Sequence, residues 1–219
     1  TTTGATSVTL TATDEIWSVT GSALTTALAD GVFLAGTLTV TDIAAGNEAA
    51  AVTAYTKAKT GADTNTLTAS DTNWSIAAST LNTALDNKVL LAGDLTVTAI
   101  ASIYEADTLD DYTNTNTGAD TITLSPDDNN WAVKATTLST VLGDGVRLAG
   151  DLAIRNITDE TAALTDYTTA KTGATKNTLT ADGIWSVAAA DLTTALAAGV
   201  RLVGDLTVTS ISTEMNAAT

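Results

Sequence analysis

One tryptophan returns four times at almost fixed spacing, and that period constrains the fold more than any other feature of the chain. Trp17, Trp74, Trp131 and Trp185 stand 57, 57 and 54 residues apart. The glycines of a Thr-Gly-Ala step (Gly4, Gly61, Gly118 and Gly173) keep nearly the same beat, at 57, 57 and 55. Each copy reads T-G-A-x(3)-T-L-T-A-x-D-x(2)-W-S-V, then L-x(2)-A-L-x(2)-G-V-x-L-A-G-D-L-T-V-T-x-I, then an alanine-rich stretch. Self-similarity at a period of about 50 residues is the mark of stacked units, each burying its apolar face only against its neighbours.

The copies divide the chain into repeats 4–60, 61–117, 118–172 and 173–219, the last one truncated, within a single domain spanning 1–219. Each copy holds two half-units, since Leu10 and Leu38 lie in similar Thr-Leu-Thr contexts and Leu67 follows at the next interval. A half-unit reads as a strand followed by a short helix. In the segment from Val32 to Thr41, one face carries Val32, Leu34, Gly36, Leu38 and Val40, a period of two that specifies a strand with one buried side. The same face recurs as Val89, Leu91, Gly93, Leu95, Val97, then Val146, Leu148, Gly150, Leu152, Ile154, then Val200, Leu202, Gly204, Leu206, Val208. The opposite face drifts, with Phe33 replaced by Leu90, Arg147 and Arg201. Leu24, Ala27 and Leu28, and again Leu81, Ala84 and Leu85, give short helices one apolar stripe. Ser22 and Ser79 stand where N-caps are expected, and Gly31, Gly145 and Gly199 where the helices end. Val52/Tyr55, Leu109/Tyr112 and Leu164/Tyr167 mark a second helix, with Glu48, Asp107 and Glu160 near its start.

Strand–helix–strand units imply parallel strands. A closed (β/α)8 barrel would bury both faces of each strand, against the threonine alternation seen here. The expected fold is therefore an α/β repeat solenoid of about eight parallel β-strands, with short helices on one side and a slab of about 40 Å along the stacking direction.

Composition narrows the function. The chain has 219 residues, 44% of them hydrophobic, enough to bury a core. Twenty-five acidic residues against 9 basic ones give a net charge of −16, the wrong sign for a nucleic-acid or anionic-membrane partner. Cysteine and histidine are both absent, which removes disulfides, thiolates and the usual nucleophile–base pairs. No apolar run approaches a membrane helix, so membrane insertion is not expected. Carboxylate neighbours such as Asp110/Asp111 and Asp127/Asp128 sit in polar stretches, and no phosphate-binding glycine loop is present. A non-enzymatic chain without cofactors is expected.

Three features invite a ligand. The tryptophans could form an aromatic ladder for carbohydrate, but one per repeat at a fixed position reads as packing. Thr37/Thr39/Thr41, Thr96/Thr98 and Thr207/Thr209 would align as ice-binding rows, although Ala153 and Arg155 interrupt the third copy. An ice-binding protein would lose thermal hysteresis when Thr39, Thr96 and Thr207 were enlarged. Asp94, Asp151 and Asp205 recur after an Ala/Val-Gly step and are the calcium candidates, though calcium needs six to eight oxygens in one place.

The segments Leu38-Thr39-Val40-Thr41-Asp42 and Leu24-Thr25-Thr26-Ala27-Leu28, alternating with alanine-rich helices, resemble the repeats of very large secreted surface proteins of bacteria and cyanobacteria, adhesin-like and haemolysin-like. The resemblance covers the whole chain and implies an extracellular or cell-surface structural role with no catalytic residues. The glycine-aspartate nonapeptides of calcium-binding RTX rolls are missing.

The last copy matches the third up to Thr165, because Glu214 and Met215 align with Glu160 and Thr161, and Gly4 aligns with Gly173. Laid tail to head, two chains continue the repeat with four positions missing, those matching Asp166 to Thr169. Val8 and Leu10 at one end, and Leu206, Val208, Glu214 and Met215 at the other, are then the expected self-assembly interface. Head-to-tail stacking into a filament or surface layer is expected, with a spacer segment of a giant adhesin as the alternative.

Overall fold

A computed structural model describes residues 6–101, 109 and 111–211. It is an α/β fold whose strands pair in parallel in open sheets. The chain divides into two compact units: Thr1–Ala99 with Tyr112–Ile122, and Ile100–Asp111 with Thr123–Thr219.

The first unit runs β1 (Val8–Thr20), α1 (Gly21–Ala29), β2 (Val32–Ile43), α2 (Glu48–Ala54), α3 (Lys57–Thr60), β3 (Thr64–Ala77), α4 (Ala78–Asp86), β4 (Val89–Ile100) and α5 (Asn114–Thr117). Its strands lie side by side in chain order from β1 to β4. Most inward positions of the alternation are filled as the sequence predicts: Leu34, Leu38 and Val40 in β2, and Val89, Leu91, Leu95 and Val97 in β4, are buried, while Val32 at the start of β2 is half-buried.

The second unit takes up β5 (Thr121–Pro126), which begins in the first, and continues with β6 (Asn130–Lys134), α6 (Ala135–Gly143), β7 (Val146–Leu148), β8 (Asp151–Ile157), α7 (Glu160–Asp166), α8 (Thr169–Thr172), β9 (Lys176–Ala181), β10 (Trp185–Ala188), α9 (Ala189–Ala197), β11 (Val200–Val203) and β12 (Leu206–Thr209). One sheet has the order β11-β9-β8-β6, and β10 and β12 form a separate pair. Twelve strands are thus described where alternation predicts about eight. The difference arises because the long strands of the first unit are each broken in two in the second.

The break has a structural cause. On β1, Ala12 to Glu15 loop out opposite the single residue Gly36 of β2, and the ladder then resumes from Ile16 on Thr37. On β3, Ala69 to Thr72 do the same opposite Gly93. This is a bulge of three extra residues, and it turns a corner in both strands. The glycine is obligatory: Gly36 has φ +107°, and a Cβ there would lie 2.3 Å from the Glu15 carbonyl oxygen. Glu15, Thr72 and Asn129 complete the turn with left-handed backbone at φ 57°, 62° and 62°. The glycines expected to pave the inner face are therefore corner residues.

The helices start two residues earlier than expected. Thr20 caps α1 by accepting the Ala23 N–H at 3.3 Å, and Ser22 lies inside the first turn. Ala77, which offers no side-chain cap, precedes α4, so Ser79 is not the cap either. The strand's last Thr or Ala is already in the extended geometry that a helix N-cap needs, so the serine is carried into the helix. Glu48 does sit in the first turn of α2, where its carboxylate accepts the Gly46 N–H at 2.6 Å. Asp107 lies outside the described residues.

Candidate functional site

The recurring tryptophan is a structural clamp rather than an exposed ladder. Trp74, Trp131 and Trp185 are no more than 1% exposed, and Trp17 is half-buried. Each indole Nε1–H donates to a backbone carbonyl 18 residues on: Ala35 at 2.9 Å, Ala92 at 3.0 Å, Ala149 at 2.8 Å and Val203 at 3.0 Å. Those carbonyls belong to the residue before the corner glycine, where the bulge interrupts the strand ladder. Tryptophan combines large buried area with a single donor, and here the donor satisfies the acceptor that the corner would otherwise strand.

The Thr-Gly-Ala step has an equally local explanation. Thr60, Thr117 and Thr172 are buried at the ends of the four-residue helices, and each hydroxyl accepts the N–H of the alanine two residues on, at 3.2 Å. The intervening glycines close these helices in left-handed geometry, with φ 81°, 78° and 81°. Nearby, Asn65 and Asn177 are buried, and their amides donate to the carbonyls of Tyr55 and Tyr167 at 2.7 and 2.5 Å.

The tyrosine hydroxyls have a role that the helical spacing alone does not predict. Tyr55 Oη lies 2.8 Å from both the Gly21 carbonyl and the Thr25 hydroxyl of α1. Tyr112 lies 2.7 Å from Asn82 of α4, and Tyr167 lies 2.8 Å from Ser139 of α6. The polar partners recur at the same place in each helix (Thr25, Asn82, Ser139), but the threonines that follow them (Thr26, Thr83, Thr140) leave the sequence no means of singling them out.

The acidic candidates stay apart. Asp94 Oδ1 accepts the Thr121 hydroxyl at 2.7 Å in the first unit. Asp151 pairs with Lys176 in the second. Asp205 is exposed, and its backbone carbonyl accepts the Trp185 N–H at 2.8 Å. Among the described residues no three carboxylates converge as a metal site would require. A groove of about 430 Å³ lies beside Trp131, between Asp128, Asp151 and Lys176. Asp128 there is occupied in accepting the Asn130 N–H at 3.0 Å. Thr39, Thr41, Thr96 and Thr98 are half-buried, whereas Thr37, Thr207 and Thr209 are exposed. Among the described residues no helix is long and apolar enough to cross a membrane.

The expected interface residues behave unlike their counterparts within the repeats. Leu10 is 42% exposed, while Leu67, Leu124 and Leu179 at the same position are fully buried. Leu206 is 42% exposed, while Leu38, Leu95 and Leu152 are at most 1% exposed. Val8 and Val208 are half-buried. Glu214 and Met215 lie outside the described residues. Every large exposed apolar side chain among the described residues falls in the first or last copy: Leu10, Ile16, Ile184, Leu196, Val203, Leu206 and Ile211.

No protein-family model matches this sequence. Comparison with curated proteins gives no match either.

Proposed function

We propose that the chain is a non-catalytic structural protein that works outside the cell or on its surface. In this reading it is a solenoid of four copies of about 57 residues, which joins head to tail with other copies into a filament or layer. The observation that carries the reading is that Leu10, Leu206 and Ile211 are exposed in the first and last copies while their inner counterparts, such as Leu67, Leu95 and Ile100, are buried. Burying one such leucine contributes roughly 1.5–3 kcal/mol, so a position filled in the inner copies and bare at one end favours a further copy against that end. An interface that is different on its two sides need not close, and open stacking follows. The absence of histidine and cysteine supports a structural rather than a chemical role.

Electron microscopy of the purified chain at high concentration tests this. Fibres or sheets with a regular subunit repeat are expected, and Leu10→Asp or Val208→Asp should abolish them while circular dichroism stays unchanged. Isolated monomers at every concentration would favour the adhesin-spacer role instead.

A further inference from the structure

The open strands differ in a way that specifies how two copies meet. Within the chain, the second half of one long strand receives the first half of the next on its free edge. Thr37 to Val40 of β2 pair with Thr64 to Leu67 of β3, residue for residue. Asp151 to Ile154 of β8 pair with Lys176 to Leu179 of β9 in the same way. The result is a four-stranded parallel sheet, seen whole in the order β11-β9-β8-β6.

Two halves of such a sheet stand without the other half. The β10-β12 pair corresponds to the β6-β8 side, with Trp185 on Leu206 matching Trp131 on Leu152. The opening residues of β1 and β2, Val8 to Thr11 on Val32 to Ala35, correspond to the β9-β11 side. Among the described residues, β1 pairs only with β2 and β12 only with β10.

We propose that the partner of β12 is β1 of a second copy of this chain, joined in one register: Asp205 opposite Ser7, Leu206 opposite Val8, Thr207 opposite Thr9 and Val208 opposite Leu10. This rests on the self-association reading above and fixes its geometry. The joint completes a four-stranded sheet in the order β2-β1-β12-β10, with the last two strands from the neighbouring copy. Three features of the inner joints carry over. The corner glycine carbonyl accepts an N–H from the residue just before the incoming strand: Gly36 from Asp63 at 2.7 Å, Gly93 from Asp120 at 2.8 Å and Gly150 from Thr175 at 2.6 Å. Gly204 and Thr6 are the corresponding pair. The carboxylate of Asp94 takes the Thr121 hydroxyl, and Asp205 is placed to take that of Ser7. Leu206 and Val208 meet Val8 and Leu10 on the apolar side, as Leu38 and Val40 meet Asn65 and Leu67. A second copy is the occupant that fits, because one chain carries both halves with matching strand direction, face and register.

Thiol cross-linking tests the register on a chain that has no cysteine of its own. Thr9 and Thr207 are exposed and would face each other across one strand spacing of about 4.8 Å, inside the roughly 4.4–6.8 Å Cα window of a disulfide. Oxidised Thr9→Cys/Thr207→Cys protein should run as a ladder of covalent multimers on a non-reducing gel. The shifted pair Thr9→Cys/Val208→Cys, whose side chains point to opposite faces, should lose that ladder, with both variants checked for native circular dichroism. Equal ladders, or none from either variant while light scattering still finds wild-type multimers, would overturn the register and leave self-association standing. A disulfide closed within one chain would overturn the joint between copies. Wild-type protein that stays monomeric at all concentrations would overturn both.

Discussion

Lys88 holds a left-handed position at φ 54° that Gly31, Gly145 and Gly199 occupy in the equivalent turns at 73°, 79° and 77°. A side chain in that conformation costs roughly 1–2 kcal/mol, and Lys88 makes the turn after α4 the one where this cost is borne. Lys88→Gly should therefore stabilise the protein by about 1 kcal/mol after its added unfolded-state entropy is deducted, raising the thermal midpoint measured by circular dichroism. A fall in the midpoint would mean that the lysine stem supplies packing that outweighs the strain. At this scale the sequence disclosed position better than role. Regular spacing of a large ring is a burial signal, and Trp74, Trp131 and Trp185 are packed inside while Trp17 is half-buried. Their indole donors were invisible, because the acceptor is a backbone carbonyl 18 residues away and backbone atoms carry no sequence signature. The buried asparagines are hard to read for a similar reason: the amides of Asn65 and Asn177 donate to main chain, and Ile122 fills the matching position in the third copy.

Among the elements, strand identity and inward face were legible from alternation, and the corners were not. Leu34, Gly36 and Leu38 keep even spacing through the bend, so the parity that marks the buried face continues unbroken while the backbone turns. The fourth copy tests this account of the corner. It has one residue fewer between Leu179 and Trp185 than separates Leu67 from Trp74. Consistent with that shortening, no atom lies within 4 Å of a Cβ built on Gly204, whereas one on Gly93 meets the Thr72 carbonyl oxygen at 2.3 Å. Both glycines have φ +110°, so either alanine variant bears backbone strain of roughly 1–3 kcal/mol. Gly93→Ala should be the more damaging by about 2 kcal/mol or more, since the collision is with main chain in a packed site. Urea melts of the two variants compare them directly, and equal losses would show that strain alone keeps the glycine.

For the whole molecule, a charge of −16 sets copies against one another even where their apolar strands match. The repulsion reaches about 30 Å at 0.01 M salt and about 8 Å at 0.15 M. Self-association should therefore strengthen as salt rises across that range, read as increasing sedimentation coefficient or scattered light. Association that weakens with salt would point to a joint held by ion pairs instead. The acidic surface thus opposes assembly in dilute medium, while the bare leucines favour it.

The corner has a mechanical consequence as well. Because β2 holds β1 through two ladders separated by a bulge, and engages β3 through its second half, a pull along the chain should meet the two ladders separately, and force spectroscopy would show this as two events per strand pair. Each ladder would be loaded along its own direction, with the residues from Ala12 to Glu15 joining the two. A fibre made of such joints would yield in steps, giving a little length at each corner before any strand is lost.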